Sequence, residues 1–192
     1  MSVKKTALDY LLKVRVPVTV FVILAAFAIT YFVSRPERDG IGYKPEQPID
    51  FSHKLHAGEM NIDCQYCHIG VEKQRHATIP AASICMNCHS VARKNKPEIM
   101  KLTEFYESGK PIPWKRIHKV PDYAYFNHSV HVNKGIECAK CHGEVEKMDK
   151  IRQVRSFTMG ACLDCHRNAH AEMPELADKI KKGPEYCSAC HR

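Results

Sequence analysis

At 192 residues the chain holds one compact domain of ordinary size or two small ones. Its composition is ordinary apart from 10 cysteines and 12 histidines, and its formal charge of +8, taken alone, points to an acidic partner or a membrane surface. Every cysteine lies in a C-x-x-C-H frame, which excludes a separate disulfide and a free cysteine nucleophile.

The first predicted element is an apolar helix. Val16 to Val33 reads VPVTVFVILAAFAITYFV, with a tyrosine as its only ionisable group, a length just sufficient to cross a hydrocarbon core. Pro17 stands at its start, where a missing amide donor does little harm, and Tyr31 and Phe32 stand at the far end as interfacial aromatics. Lys4, Lys5, Lys13 and Arg15 precede the run, so the positive-inside rule keeps the N-terminus in the cytoplasm and exports the chain beyond Ser34. A cleaved signal peptide is the rival reading, because AFA at Ala26 to Ala28 resembles a cleavage site. The apolar run continues five residues past Ala28, which favours a retained anchor over residues 1–34. Residues 35–50, rich in proline, glycine and charge, read as a linker or extended strap, and the exported body starts near Phe51.

The cysteine frame occurs as CQYCH at Cys64, CMNCH at Cys85, CAKCH at Cys138, CLDCH at Cys162 and CSACH at Cys187. A c-type haem needs this spacing. Two cysteines form thioethers to the porphyrin vinyl groups, and the histidine in the next position coordinates the iron from the proximal side. Zinc sites, redox dithiols and structural disulfides also use C-x-x-C, but none needs a histidine directly behind it. Zinc ribbons pair two such units, and five would leave one over. At this chain's histidine frequency, five chance coincidences come to about one in a million. The expectation is five covalently bound haem c groups, on Cys64 and Cys67, Cys85 and Cys88, Cys138 and Cys141, Cys162 and Cys165, and Cys187 and Cys190. The proximal ligands are then His68, His89, His142, His166 and His191. Their propionates bring about ten negative charges, which offset the +8 and remove nucleic acid as a partner.

The body contains a repeat. FSHKLHAGEMNIDCQYCHIGVEK from Phe51 and FNHSVHVNKGIECAKCHGEVEK from Phe126 share F-x-H-x-x-H, the attachment frame and V-E-K, with one residue deleted in the second copy. A second frame comes after each, so the body divides into two dihaem modules, 51–96 and 126–170, a connector over 97–125 and a single-haem segment over 171–192. The F-x-H-x-x-H stretch resembles the distal-ligand segment of small class III multihaem cytochromes. That resemblance implies that His53 serves the Cys64 haem and His128 the Cys138 haem, while His56 and His131 serve later ones, those at Cys85 and Cys162. For the remaining distal position His76 and His118 lead, and Met148 or Met159 would instead give a His/Met haem of raised potential. His170, four residues past a proximal histidine, reads as surface or supporting.

In the connector, KPEIMKLTEFYESGK is the best helix, with Pro97 in its first turn and Gly109 as its stop. Elsewhere short helices at each frame and irregular chain are expected. The fold class is mainly α with much irregular structure, a class III cytochrome-like domain on a single transmembrane helix. The porphyrins would form its core, so the apo-protein should not fold. Only Arg192 comes after His191, so the expectation is either that earlier loops reach over the last haem or, the favoured reading, that it faces a partner.

One anchor, five frames, PIPWKRIHKVPDYAYFNHSVHV and TMGACLDCHR together resemble the pentahaem subunit of alternative complex III, a bacterial quinol:electron-acceptor oxidoreductase. The resemblance implies partners in the inner membrane: an iron–sulfur subunit, polytopic quinol-associated subunits and a monohaem cytochrome. It implies electron transfer from quinol toward a cytochrome c or terminal oxidase, with the haem domain in the periplasm. A related menaquinone reductase complex has a similar subunit, and a single-helix quinol dehydrogenase is the other alternative. All five frames keep their histidine and distal candidates are plentiful, which argues against an enzyme in its own right.

Overall fold

A computed structural model describes residues 8–34 and 40–192. Lys4, Lys5 and the start of the linker, 35–39, lie outside the described residues. The chain separates into two units, one N-terminal and one running from Gly40 to Arg192.

The N-terminal unit is one helix. A π-helical turn, Leu11–Arg15, leads into α1, Val16–Val33, with Pro17 in the first turn. Leu8–Val33 is 26 residues long, and none of it is buried inside the protein. At 1.5 Å per residue it extends about 39 Å, enough to cross a bilayer core. Its few polar groups are satisfied within the helix. The Thr30 hydroxyl donates to the Ala26 carbonyl (2.8 Å) and the Ser34 hydroxyl to that of Thr30 (2.9 Å), as a lipid-facing backbone requires.

The second unit is helical and irregular, with no strand among the described residues. After a π-helical turn at Lys54–Glu59 come α2 (Cys64–Cys67), α3 (Ala82–His89), α4 (Pro97–Ser108), α5 (His128–Val132), α6 (Cys138–His142), α7 (Met159–Glu172) and α8 (Cys187–Cys190). The connector helix has its expected limits: Pro97 opens α4, and Gly109 ends it in the left-handed region at φ 66°. Polar side chains start several of the short helices. Asp63 accepts from the Gln65 amide (2.7 Å), Asn127 from that of Ser129 (3.0 Å) and Thr158 from that of Ala161 (3.4 Å). α7 bends at Asn168, just past its attachment frame.

Apolar burial is sparse. Among the described residues the buried apolar side chains are Ile49, Val71, Leu102, Ile117, Ala169, Met173 and Ile180. Ala169, Met173 and Ile180 form one cluster, with Ile136, Cys165 and Leu176 against it. The strap is fastened to Gln153, the buried polar residue. Gly42 donates to its carbonyl (2.7 Å), and its amide donates to Tyr43 (3.2 Å).

Candidate haem-binding sites

Each C-x-x-C-H frame lies on a helical turn, which sets two cysteine side chains on one side with the histidine just beyond. No disulfide joins any of the ten cysteines. Burial pushes the thiols of Cys67, Cys85, Cys138, Cys141 and Cys162 above their ordinary value. Among the described residues no three His, Cys, Asp or Glu side chains converge as a tetrahedral cation would require.

Seven of the nine proximal and distal candidates are oriented through backbone carbonyls, whereas His53 Nδ1 is buried without a partner. His68 Nδ1 bonds the Thr78 carbonyl (2.7 Å), His89 that of Ala92 (3.1 Å), His166 that of Pro184 (2.8 Å) and His191 that of Tyr123 (3.0 Å). His56 Nδ1 bonds Ser52 O, His128 Nδ1 bonds Arg75 O and His131 Nδ1 bonds Asn127 O, each at 2.8 Å. A carbonyl can only accept, so Nδ1 carries the proton and Nε2 keeps its lone pair for a metal. This is the tautomer and the second contact that metal-ligating histidines use.

Three pairs of rings stand at the spacing that one shared iron demands. Metal–nitrogen bonds of about 2 Å on either side place two axial imidazole centres about 6 Å apart. His56 and His89 are 6.1 Å apart, His128 and His142 6.3 Å, and His131 and His166 6.2 Å. His53 is a close electrostatic neighbour of His68. Burial first, and then His68, lower its pKa to about 4. Burial also holds His142 down to about 3 and lowers His131, so these rings are neutral donors at physiological pH.

The two repeats are built alike. Phe51 stacks on His56 (4.4 Å) and meets His53 edge-on (4.9 Å); Phe126 stacks on His131 (4.6 Å) and meets His128 edge-on (4.8 Å). The residue deleted from the second repeat accounts for the helix types. The longer first copy takes up its extra residue in a π-helical turn, with Met60 donating to Leu55 (3.0 Å), whereas the second forms an α-turn.

The other candidates divide. His118 bonds the Arg152 backbone, and its Nε2 is buried without a partner. Its ring lies 4.3 Å from that of His142, too close for an iron between them. His76 is exposed, but its neighbour Arg75 covers the Tyr125 ring at 4.1 Å, and the Tyr125 amide donates to the Cys190 carbonyl (2.6 Å). His170 spends Nε2 on the Ile180 carbonyl (2.8 Å), a supporting role. Met159 begins α7 with 67% of its surface exposed, and Met148 is half-buried beside Gly143. A groove of about 710 Å³ lies beside His89, between α3 and α4, lined by Met86 and Met100 together with Lys94, Glu104 and Glu107. Sequence reasoning missed the carbonyl anchors, which leave no side-chain signature, and gave no role to Phe51 or Phe126, although both were visible in the repeat.

Frames on helical turns, proton-bearing Nδ1 atoms and paired rings are what covalently attached haem with imidazole ligands would require. Residues 31–112 match the class III cytochrome C family, and residues 124–192 match cytochrome c7 and related cytochrome c. A relative, the menaquinone reductase multiheme cytochrome c subunit of Nitratidesulfovibrio vulgaris, is 28% identical over 168 residues, an alignment that covers 77% of each chain.

Proposed function

We propose that the chain is a membrane-anchored cytochrome with five covalent haems that carries electrons within a quinone-linked respiratory complex. The observation that carries this reading is the pairing of distal and proximal imidazoles, five of the six rings with the Nδ1 proton on a backbone carbonyl. Haem supplies reversible one-electron chemistry at iron. The cysteines of each frame would hold a ring by two thioethers, and the paired histidines would supply nitrogen ligands to the iron. His53, His56, His128 and His131 are assigned opposite His68, His89, His142 and His166, and His76 opposite His191. His118 is then a packing neighbour of His142, and Met148 and Met159 pack rather than ligate. α1 is the anchor in the bacterial inner membrane, with Lys13 and Arg15 on the cytoplasmic side and the haem body in the periplasm.

The sequence resemblance favours alternative complex III, in which quinol is oxidised and an iron–sulfur subunit, polytopic membrane subunits and a monohaem cytochrome are partners. The relative's name favours the second reading, a complex that reduces menaquinone. Purification from native membranes with mass spectrometry of the accompanying subunits tests both. An iron–sulfur protein with polytopic subunits is the expected set, and the direction of quinone turnover then chooses between the two readings. Recovery of the cytochrome alone, turning over quinol, would sink both in favour of a single-helix dehydrogenase.

A further inference from the structure

The two repeats dock on each other reciprocally. The distal turn of the first packs on the segment behind the third frame: Lys54 donates to the Met148 carbonyl (3.0 Å) and Ser52 to Asp149 (2.9 Å). A Cβ on Gly58 would lie 2.3 Å from the Glu146 carbonyl. The distal helix α5 of the second repeat packs in turn on the segment behind the first frame. His128 and Ser129 amides donate to Arg75 and Gln74 (3.1 and 3.3 Å), and Asn133 donates to Glu72 (3.0 Å). The result is an approximate two-fold relation, with the V-E-K segments in equivalent places and the Cys64 and Cys138 frames at the joint. The side chains of Cys64 and Cys138 are close electrostatic neighbours.

The remaining frames attach outward. The Cys85 frame joins that of Cys64, with Asn87 donating to the Tyr66 hydroxyl (3.0 Å). The Cys162 frame joins that of Cys138: His131 of α5 pairs with His166, Arg155 donates to the Lys140 carbonyl, and Lys140 donates to that of Glu172 (3.1 Å). The approach to the Cys187 frame is fastened to the Cys162 frame by Gly183 donating to the His166 carbonyl (3.1 Å) and by Arg167 with Glu185 (2.8 Å).

We propose that the chain sets its five attachment sites in one unbranched row, in the order Cys85, Cys64, Cys138, Cys162, Cys187, so that electrons enter and leave at the Cys85 and Cys187 ends. Each step moves one electron between adjoining irons, one oxidised as the next is reduced, with no bond made or broken. The inference rests on the reading of five haems, and the test separates the two. Mass spectrometry of the mature chain counts the haems first, and fewer than five overturns the reading itself.

Iron positions are then located in the intact complex by iron-edge anomalous scattering or by electron cryomicroscopy. The Cys85 and Cys187 irons should be the most widely separated pair, each with a single near neighbour. A Cys85 iron adjoining that of Cys162 or Cys187, in a chain with all five haems, overturns the row alone. A second measurement uses the full chain carrying Cys138→Ala and Cys141→Ala, given a substoichiometric pulse of dithionite. Loss of redox equilibration between the two halves, read by rapid-freeze EPR, is the expected outcome, and undiminished equilibration would count against the order. The iron positions in the unmodified complex decide the matter if that variant does not fold.

Discussion

A glycine and three histidines carry the sharpest residue-scale consequences. A Cβ on Gly183 would lie 2.3 Å from the His166 ring, and the Gly183 amide holds the His166 carbonyl. Gly183→Ala must therefore move that imidazole or its own backbone. The expected result is one low-spin signal of five shifted or converted to high spin in low-temperature EPR, with the others unchanged; an unaltered spectrum would mean that the ring has room to yield. The histidines set a pH dependence. Burial lowers His53 and His118 from 6.5 to about 4 and His142 to about 3. A folded-state pKa below the unfolded one gives stability that is complete above pH 6.5 and lost as pH falls through the folded value. The melting temperature should decline steadily from pH 6.5 toward pH 4, because the unfolded chain takes up protons there that the folded one refuses. A flat profile across that window would show that these rings remain wet.

At the scale of elements, the two distal turns are governed by the residue between phenylalanine and histidine. Asn127 accepts from the Ser129 amide (3.0 Å), and Ser52 accepts from that of Leu55 (3.1 Å), so both act as caps. Losing such a cap costs about 1 kcal/mol. Asn127→Ala should lower the melting temperature by roughly 2–4 °C in a chain of this size. It should also broaden the EPR signals of the two haems that α5 serves, while the Cys85 signal stays sharp. α1 and α4 were legible because each carries its own start and stop: an unbroken apolar run in one, Pro97 and Gly109 in the other. The histidine turns were legible as a pair because three-residue spacing places both rings on one face. The π-helical form of the first was visible only as an extra residue. The opposing partner of each ring was legible only through the class III resemblance, and the carbonyl behind it and the order of the frames were not legible. They depend on backbone groups and on contacts between segments far apart in the chain, such as Arg75 with His128.

For the whole molecule, the decisive quantity is how little apolar surface the polypeptide hides by itself. Seven apolar side chains are buried across the described residues, and only Ala169, Met173 and Ile180 form a cluster. A domain of this length ordinarily encloses a single continuous core, and ordering its backbone costs more than so few contacts return. On the proposed reading, porphyrin faces against the frame helices would make up the difference, so that attachment and folding would be one event, as in metal-dependent small domains. The chain with every frame cysteine changed to alanine should therefore lack a cooperative thermal transition in its body, while α1, whose backbone bonds are internal, stays helical in lipid. Circular dichroism of the two forms in detergent, together with limited proteolysis, makes the comparison. Digestion of the haem-free body down to the anchor is the expected pattern. A cooperative melt and a protease-resistant body without haem would require a polypeptide core that the buried residues do not supply.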